Sequence, residues 1–107
     1  MKPWRLTPHA EESLVDILTW TIENFGDRQA LAYHDGLIAR INKLASGAAP
    51  HAKSCALLMQ GRAGAEALTY YHEGGHYIIM RDTDELLEVL AFFHQNSNLP
   101  SHLEKIK

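Results

Sequence analysis

The sequence predicts an α+β fold in a single domain spanning residues 1–107. An N-terminal strand leads into an antiparallel two-helix hairpin, the hairpin packs on a small antiparallel β-sheet, and a short C-terminal helix follows. Three observations carry this. Apolar residues recur at three- and four-residue steps before residue 46, they alternate in strand fashion after residue 66, and the two periods do not mix. With 46% hydrophobic residues, a chain of this length buries enough surface to fold without metal or disulfide. Its one cysteine, Cys55, excludes an internal disulfide.

Each element follows from its residues. Trp4-Arg5-Leu6 is a short pairing strand. Thr7-Pro8 opens the first helix, because a Thr hydroxyl caps free N–H groups and Pro loses nothing at the first helical position. Leu14, Ile17, Leu18, Thr21, Ile22 and Phe25 then form one stripe that ends at Gly26. Asp27 is the expected cap of a second helix, on which Ala30, Tyr33, His34, Leu37, Ile38, Ile41 and Leu44 keep helical spacing up to Ser46-Gly47. So short a break between helices permits only an antiparallel hairpin. From Gly47 to Gly64 the residues are small and polar, which marks a mobile-loop candidate, with Cys55 to Met59 as a short strand candidate. Ala67 to His72, His76 to Arg81 and Leu86 to His94 are strand-like, and they are separated by two hairpin turns, Glu73-Gly74-Gly75 and Asp82-Thr83-Asp84-Glu85. Leu99-Pro100-Ser101 starts a last short helix or tail.

Alternate strand residues point to opposite faces. Tyr77 and Ile79 therefore oppose Ile78 and Met80, while Leu87, Val89, Ala91 and Phe93 oppose Leu86, Leu90 and Phe92. Both faces are apolar, and one hairpin covers only one of them. The tail is expected to be too short for the other, leaving an apolar groove of the kind that marks a partner site. The competing expectation is that the Gly47 to Gly64 loop folds over it.

His72-Glu73-Gly74-Gly75-His76 matches HExxH, in which two histidines one helical turn apart bind zinc. Two adjacent glycines between strand-forming Thr69-Tyr70-Tyr71 and Tyr77-Ile78-Ile79 make a hairpin turn the better explanation, and no metal or cofactor is expected. Cys55 has His51 and His72 as conceivable partners for nucleophilic chemistry, yet beside Ala56-Leu57-Leu58 it reads as a small buried hydrophobe. Ten Lys and Arg against thirteen Asp and Glu give a net charge of −3. That supplies no field for a phosphate backbone, and Lys53, Arg62 and Arg81 make at most a small basic cluster. No opening apolar run and no stretch of membrane-spanning length appears, so a cytoplasmic location is expected.

The order of elements also carries a resemblance. Trp4-Arg5-Leu6-Thr7-Pro8-His9-Ala10-Glu11, Trp20-Thr21-Ile22 with Phe25-Gly26, Gln29-Ala30 and Tyr33, then Leu37, Ile41 and Leu44-Ala45, recur in order with His76-Tyr77-Ile78-Ile79-Met80-Arg81 and with Glu88-Val89-Leu90, Phe93-His94-Gln95, Asn98, Pro100 and His102-Leu103. Over nearly its whole length the chain resembles the RelE/ParE superfamily of toxins from bacterial type II toxin–antitoxin pairs, and within it the ParE branch. The resemblance implies a non-enzymatic toxin that binds DNA gyrase, blocks replication and arrests growth, and that is neutralised by a cognate antitoxin. It departs from the ParE pattern at Asn96 and Asn98, where an Arg and an Asp are common, and at Ala91, where another Arg is. The antitoxin is expected in the groove between hairpin and sheet, touching Ile78, Met80, Leu90 and Phe92. The target is expected at His94, Asn98, His102 and Arg81, the alternative being that His94 and Asn98 merely cap backbone groups. A RelE-like ribosome-dependent mRNA endonuclease is the competing activity, for which only Arg62, Arg81 and His94 stand in suitable regions; a ParE-fold protein with another or lost target is the further alternative.

Overall fold

A computed structural model describes residues 2–48, 50–55 and 68–106. In chain order the elements are β1 (Trp4–Leu6), α1 (Pro8–Phe25), α2 (Asp27–Ala45), β2 (Lys53–Ser54), β3 (Leu68–Glu73), β4 (His76–Asp82), β5 (Leu87–His94) and α3 (Leu99–Ile106). Among the described residues no helix is long and apolar enough to cross a membrane. The expected strand from Cys55 to Met59 begins at residues that are described, but 56–59 lie outside them, as do Arg62 and most of the Gly47 to Gly64 loop.

The hairpin forms where its capping residues demand it. The Thr7 hydroxyl accepts the Ala10 N–H at 3.2 Å, and Pro8 occupies the first turn of α1. Gly26, at φ 91°, ends α1 by donating its N–H to the Ile22 carbonyl at 2.9 Å, and its own carbonyl accepts the first α2 bond, from Ala30 N at 3.2 Å. A side chain is disfavoured at that φ. Gly26, rather than Asp27, is therefore the cap of α2; Asp27 is the first helical residue and places negative charge on the helix N-terminus.

The sheet has five strands in the order β1-β5-β4-β3-β2. Strands β2 to β5 pair antiparallel as expected, and the N-terminal strand joins them to make the sheet mixed: β1 runs parallel to β5, with Trp4 opposite Leu87 and Leu6 opposite Val89. The connection from β1 into a helical hairpin makes the parallel pairing possible, since parallel neighbours need a long crossover. Gly74, at φ 60°, takes the first position of the two-residue β3–β4 turn, where a positive φ matches strand twist. The β4–β5 turn closes as expected, with Thr83 N–H given to the Leu86 carbonyl at 3.0 Å and Leu86 N–H to the Thr83 hydroxyl at 3.1 Å.

A bulge re-sorts the faces of β5. Ile79 pairs with Ala91 and Met80 with Val89, so Leu90 is the extra residue. Strict alternation fails there. Leu87, Val89 and Phe92 join Ile78 and Met80 under the hairpin, packed with Ala10, Leu14, Leu37 and Ile41. Leu90, Ala91 and Phe93 turn to the other face with Ile79, Leu68, Cys55, Leu99 and Leu103. The C-terminal helix, expected to be too short for that face, seats Leu99 and Leu103 as buried residues upon it, one helical turn apart.

Candidate functional site

The two sheet faces are occupied by the chain's own residues, and among the described residues the large apolar side chains left exposed all lie on the hairpin: Val15 (61%), Trp20 (58%), Ile22 (46%), Phe25 (65%) and Leu31 (63%). The helical stripe read from α1 thus holds at Leu14 and Thr21, which are buried, and fails at Ile22 and Phe25. Two of the exposed side chains, Trp20 and Phe25, border a cleft of about 430 Å³ between hairpin and sheet at the bend. Trp20, Thr21 and Phe25 line it from α1, and Gln29 and Tyr33 from α2. Gly75, His76 and His94 line it from the sheet.

A polar clasp keeps the cleft in shape. The Tyr33 hydroxyl lies 2.6 Å from His76 Nδ1, accepts the Gly75 N–H at 3.2 Å, and is 3.3 Å from the Glu73 carbonyl. Burial raises the Tyr33 pKa, so the hydroxyl keeps its proton. Burial first, and then the neighbouring His94 and His72, lower the His76 pKa to about 4, so its imidazole is neutral near pH 7. We assign the short contact as Tyr33 O–H donating to Nδ1, which places the ring proton on Nε2. Beside this clasp Arg40 Nε donates to Glu73 Oε1 at 2.8 Å, with its guanidinium 4.8 Å from the Tyr71 ring centre.

The residues singled out from sequence fall in three places. Ile78, Met80 and Phe92 are buried under the hairpin, whereas Leu90, displaced by the bulge, is buried on the opposite face. They share no open surface. His94 lies at the cleft, opposite His76 in the strand register with the rings 5.5 Å apart. Its Nδ1 accepts the Asn96 N–H at 3.1 Å, and Asn98 Oδ1 accepts the Ser101 N–H at 3.5 Å, so both perform the capping role. His102 stacks on Phe93 with ring centres 4.5 Å apart. Arg81 is at the other end of β4, 3.6 Å from Glu88, which Arg5 also engages at 2.5 Å. His94 and Arg81 therefore do not meet, and they form no acid–base pair.

The HExxH letters straddle the turn: His72 is in β3 and bonds Gln95 at 3.0 Å, while His76 opens β4. Among the described residues no group of three or more His, Cys, Asp or Glu is placed to hold a metal ion. Burial pushes the Cys55 thiol up to about 11, which leaves negligible thiolate near neutral pH. Sequence reasoning missed Trp20, Gln29 and Tyr33 as parts of one site. Their signal was present in part, since Trp20 lies off the buried stripe of α1, but their meeting with His76 depends on tertiary packing.

The hairpin layered on a mixed sheet, with a strand before it and a helix behind, defines an α+β domain of the RelE/ParE type. The family model described as the ParE toxin of the type II toxin–antitoxin system, parDE, matches residues 4–99, and the chain belongs to this family. Among solved structures it is similar to a chain of the chromosomal ParDE TA system from P. aeruginosa, with a TM-score of 0.67 and 14% identity, over 88% of this chain and 96% of that one. At that identity the likeness is one of fold. No curated protein matches the chain.

Proposed function

We propose that the protein is the toxin of a type II pair that acts by binding DNA gyrase and stopping replication, and that a cognate antitoxin holds it inactive. The match of the ParE toxin family over residues 4–99 carries this reading. Charge favours it over ribosome-dependent RNA cleavage. At −3 the chain has little with which to displace counterions from RNA, and Arg81 is already engaged by Glu88.

An antitoxin segment finds its apolar contacts on Val15, Ile22 and Leu31 of the hairpin, because Ile78, Met80, Leu90 and Phe92 are already covered within the chain. Glu11, Glu12 and Asp16 beside Val15 favour a segment carrying Lys or Arg. The target surface is the tail from His94 to His102, where His94 and Asn98 are exposed on ordered structure. Arg81 lies at the far end of the sheet and is left out of it.

Supercoiling by purified gyrase, assayed beside translation in a cell-free extract, tests the reading. Supercoiling blocked with translation intact is the expected result; translation blocked while supercoiling proceeds assigns the RelE-like activity instead. Alanine at His94, Asn98 and His102 is expected to abolish growth arrest with antitoxin binding unchanged and Tm lowered only slightly by the lost cap and ring contacts. Toxicity that persists in that variant removes the tail from the target surface.

A further inference from the structure

The cleft at the hairpin bend has the chemistry of a site for a flat, neutral molecule. Its volume of about 430 Å³ falls among small-ligand sites. Among the described residues neither Lys or Arg nor Asp or Glu lines it, so a phosphate, a carboxylate or an ammonium group finds no counter-charge among them. Trp20 and Phe25 stand edge to face with ring centres 5.7 Å apart, both more than half exposed. A planar ring stacked on either buries surface that the chain itself leaves wet.

Of the polar groups of the cleft, the hydroxyls of Thr21 and Tyr33 and the Gly75 N–H are bonded within the chain, which leaves Gln29 and the far nitrogen of His76. Because Tyr33 occupies His76 Nδ1, the remaining donor of that ring is Nε2–H, which no described residue accepts. The Gln29 amide offers a donor and an acceptor side by side, the arrangement that pairs with the nitrogen edge of a purine, and it makes no hydrogen bond among the described residues. We propose that the cleft binds an uncharged purine-type heteroaromatic molecule, stacked on Trp20 and Phe25, with its nitrogen edge read by Gln29 and His76.

The two tryptophans make the test internal to the protein. Trp4 donates its indole N–H to Asn42 at 2.7 Å, at the end of α2 away from the bend, whereas Trp20 borders the cleft. In a ¹H–¹⁵N NMR titration of the full chain, purine should shift the Trp20 indole resonance saturably and leave that of Trp4 in place. Indole, the same fused bicycle without a ring-nitrogen acceptor, should bind at least about fivefold more weakly, the worth of one neutral hydrogen bond. Gln29→Ala should weaken purine by a similar factor, and Trp20→Ala, followed at the backbone amides of Gly75 and His76, should remove most of the binding. Both changes fall on exposed helical positions, and an unmoved Trp4 resonance reports that the fold is kept. No saturable shift at millimolar purine, equal affinity for purine and indole, or binding indifferent to Trp20→Ala would each overturn the proposal and leave the cleft to an apolar side chain of a protein partner.

Discussion

At the end of the hairpin next to β1, Leu14, Leu37 and Ile41 close on Leu87 and Val89 with almost no surface left to water. At the bend, the same two helices meet the sheet through the Tyr33 hydroxyl and leave Trp20 and Phe25 mostly in solvent. The first contact is apolar and tolerant of small shifts in angle. The second is directional, because a hydroxyl serving Gly75 and His76 together fixes the separation of helix and turn. Packing thus stabilises one half of the layer, and a few hydrogen bonds hold the other half apart.

Substitutions along the hairpin should separate these halves, and stability is the measure. Ile41→Ala opens a cavity in the closed half and should cost about 2–5 kcal/mol in urea unfolding; a loss near zero would dissolve the contrast. Gly74→Ala strikes the clasp instead. A Cβ there would sit 2.6 Å from Tyr33 Cε1 on a backbone at φ +60°, and the expected loss is about 1–3 kcal/mol. Loosening at the cleft should accompany it, visible as faster amide exchange at Gly75 and His76.

The clasp should also respond to acid. His76 titrates near 6.5 when unfolded and at about 4 in the fold, so between those values the unfolded chain binds a proton that the native one refuses. Stability from this group is complete above pH 6.5, falls as the pH drops toward 4, and changes no further below that. Urea midpoints measured across this window should fall less steeply in His76→Gln than in the parent; parallel curves would show that His76 does not govern the response. Smallest of all is Trp20→Ala. More than half exposed, Trp20 should contribute less than about 0.5 kcal/mol, and a larger thermal-unfolding effect would mean that the bend is packed after all.

The helices, the Gly74-Gly75 turn and the β4–β5 turn were legible because their signals are local: periodicity, a Thr-Pro cap, paired glycines. The parallel seat of β1 was not, since three residues carry no mark of the neighbour they choose. Nor was the bulge at Leu90, where every residue is apolar and an extra one leaves no pattern to miss. That single residue moved Leu90 and Ala91 onto one face and carried Phe92 and His94 to the hairpin side. The tail defeated expectation for another reason. Its two leucines one turn apart suffice for a face already narrowed by Cys55 and Leu68.

The parallel pairing of β1 with β5 has a consequence for synthesis on the ribosome. Strand β1 finds its partner only in β5, Trp4 waiting for Leu87, and β5 must then slot between β1 and β4. Until β5 has cleared the exit tunnel, the finished hairpin lacks Leu87, Val89 and Phe92 beneath it, and of its sheet-side core only β4 residues such as Ile78 and Met80 have been made. The apolar undersides of both helices are only partly covered until then, and joining two strands so far apart in the chain is a slow closure. A chain cut short anywhere before His94 therefore lacks a complete β5, and the fold takes its shape only once residues 87–94 have been made.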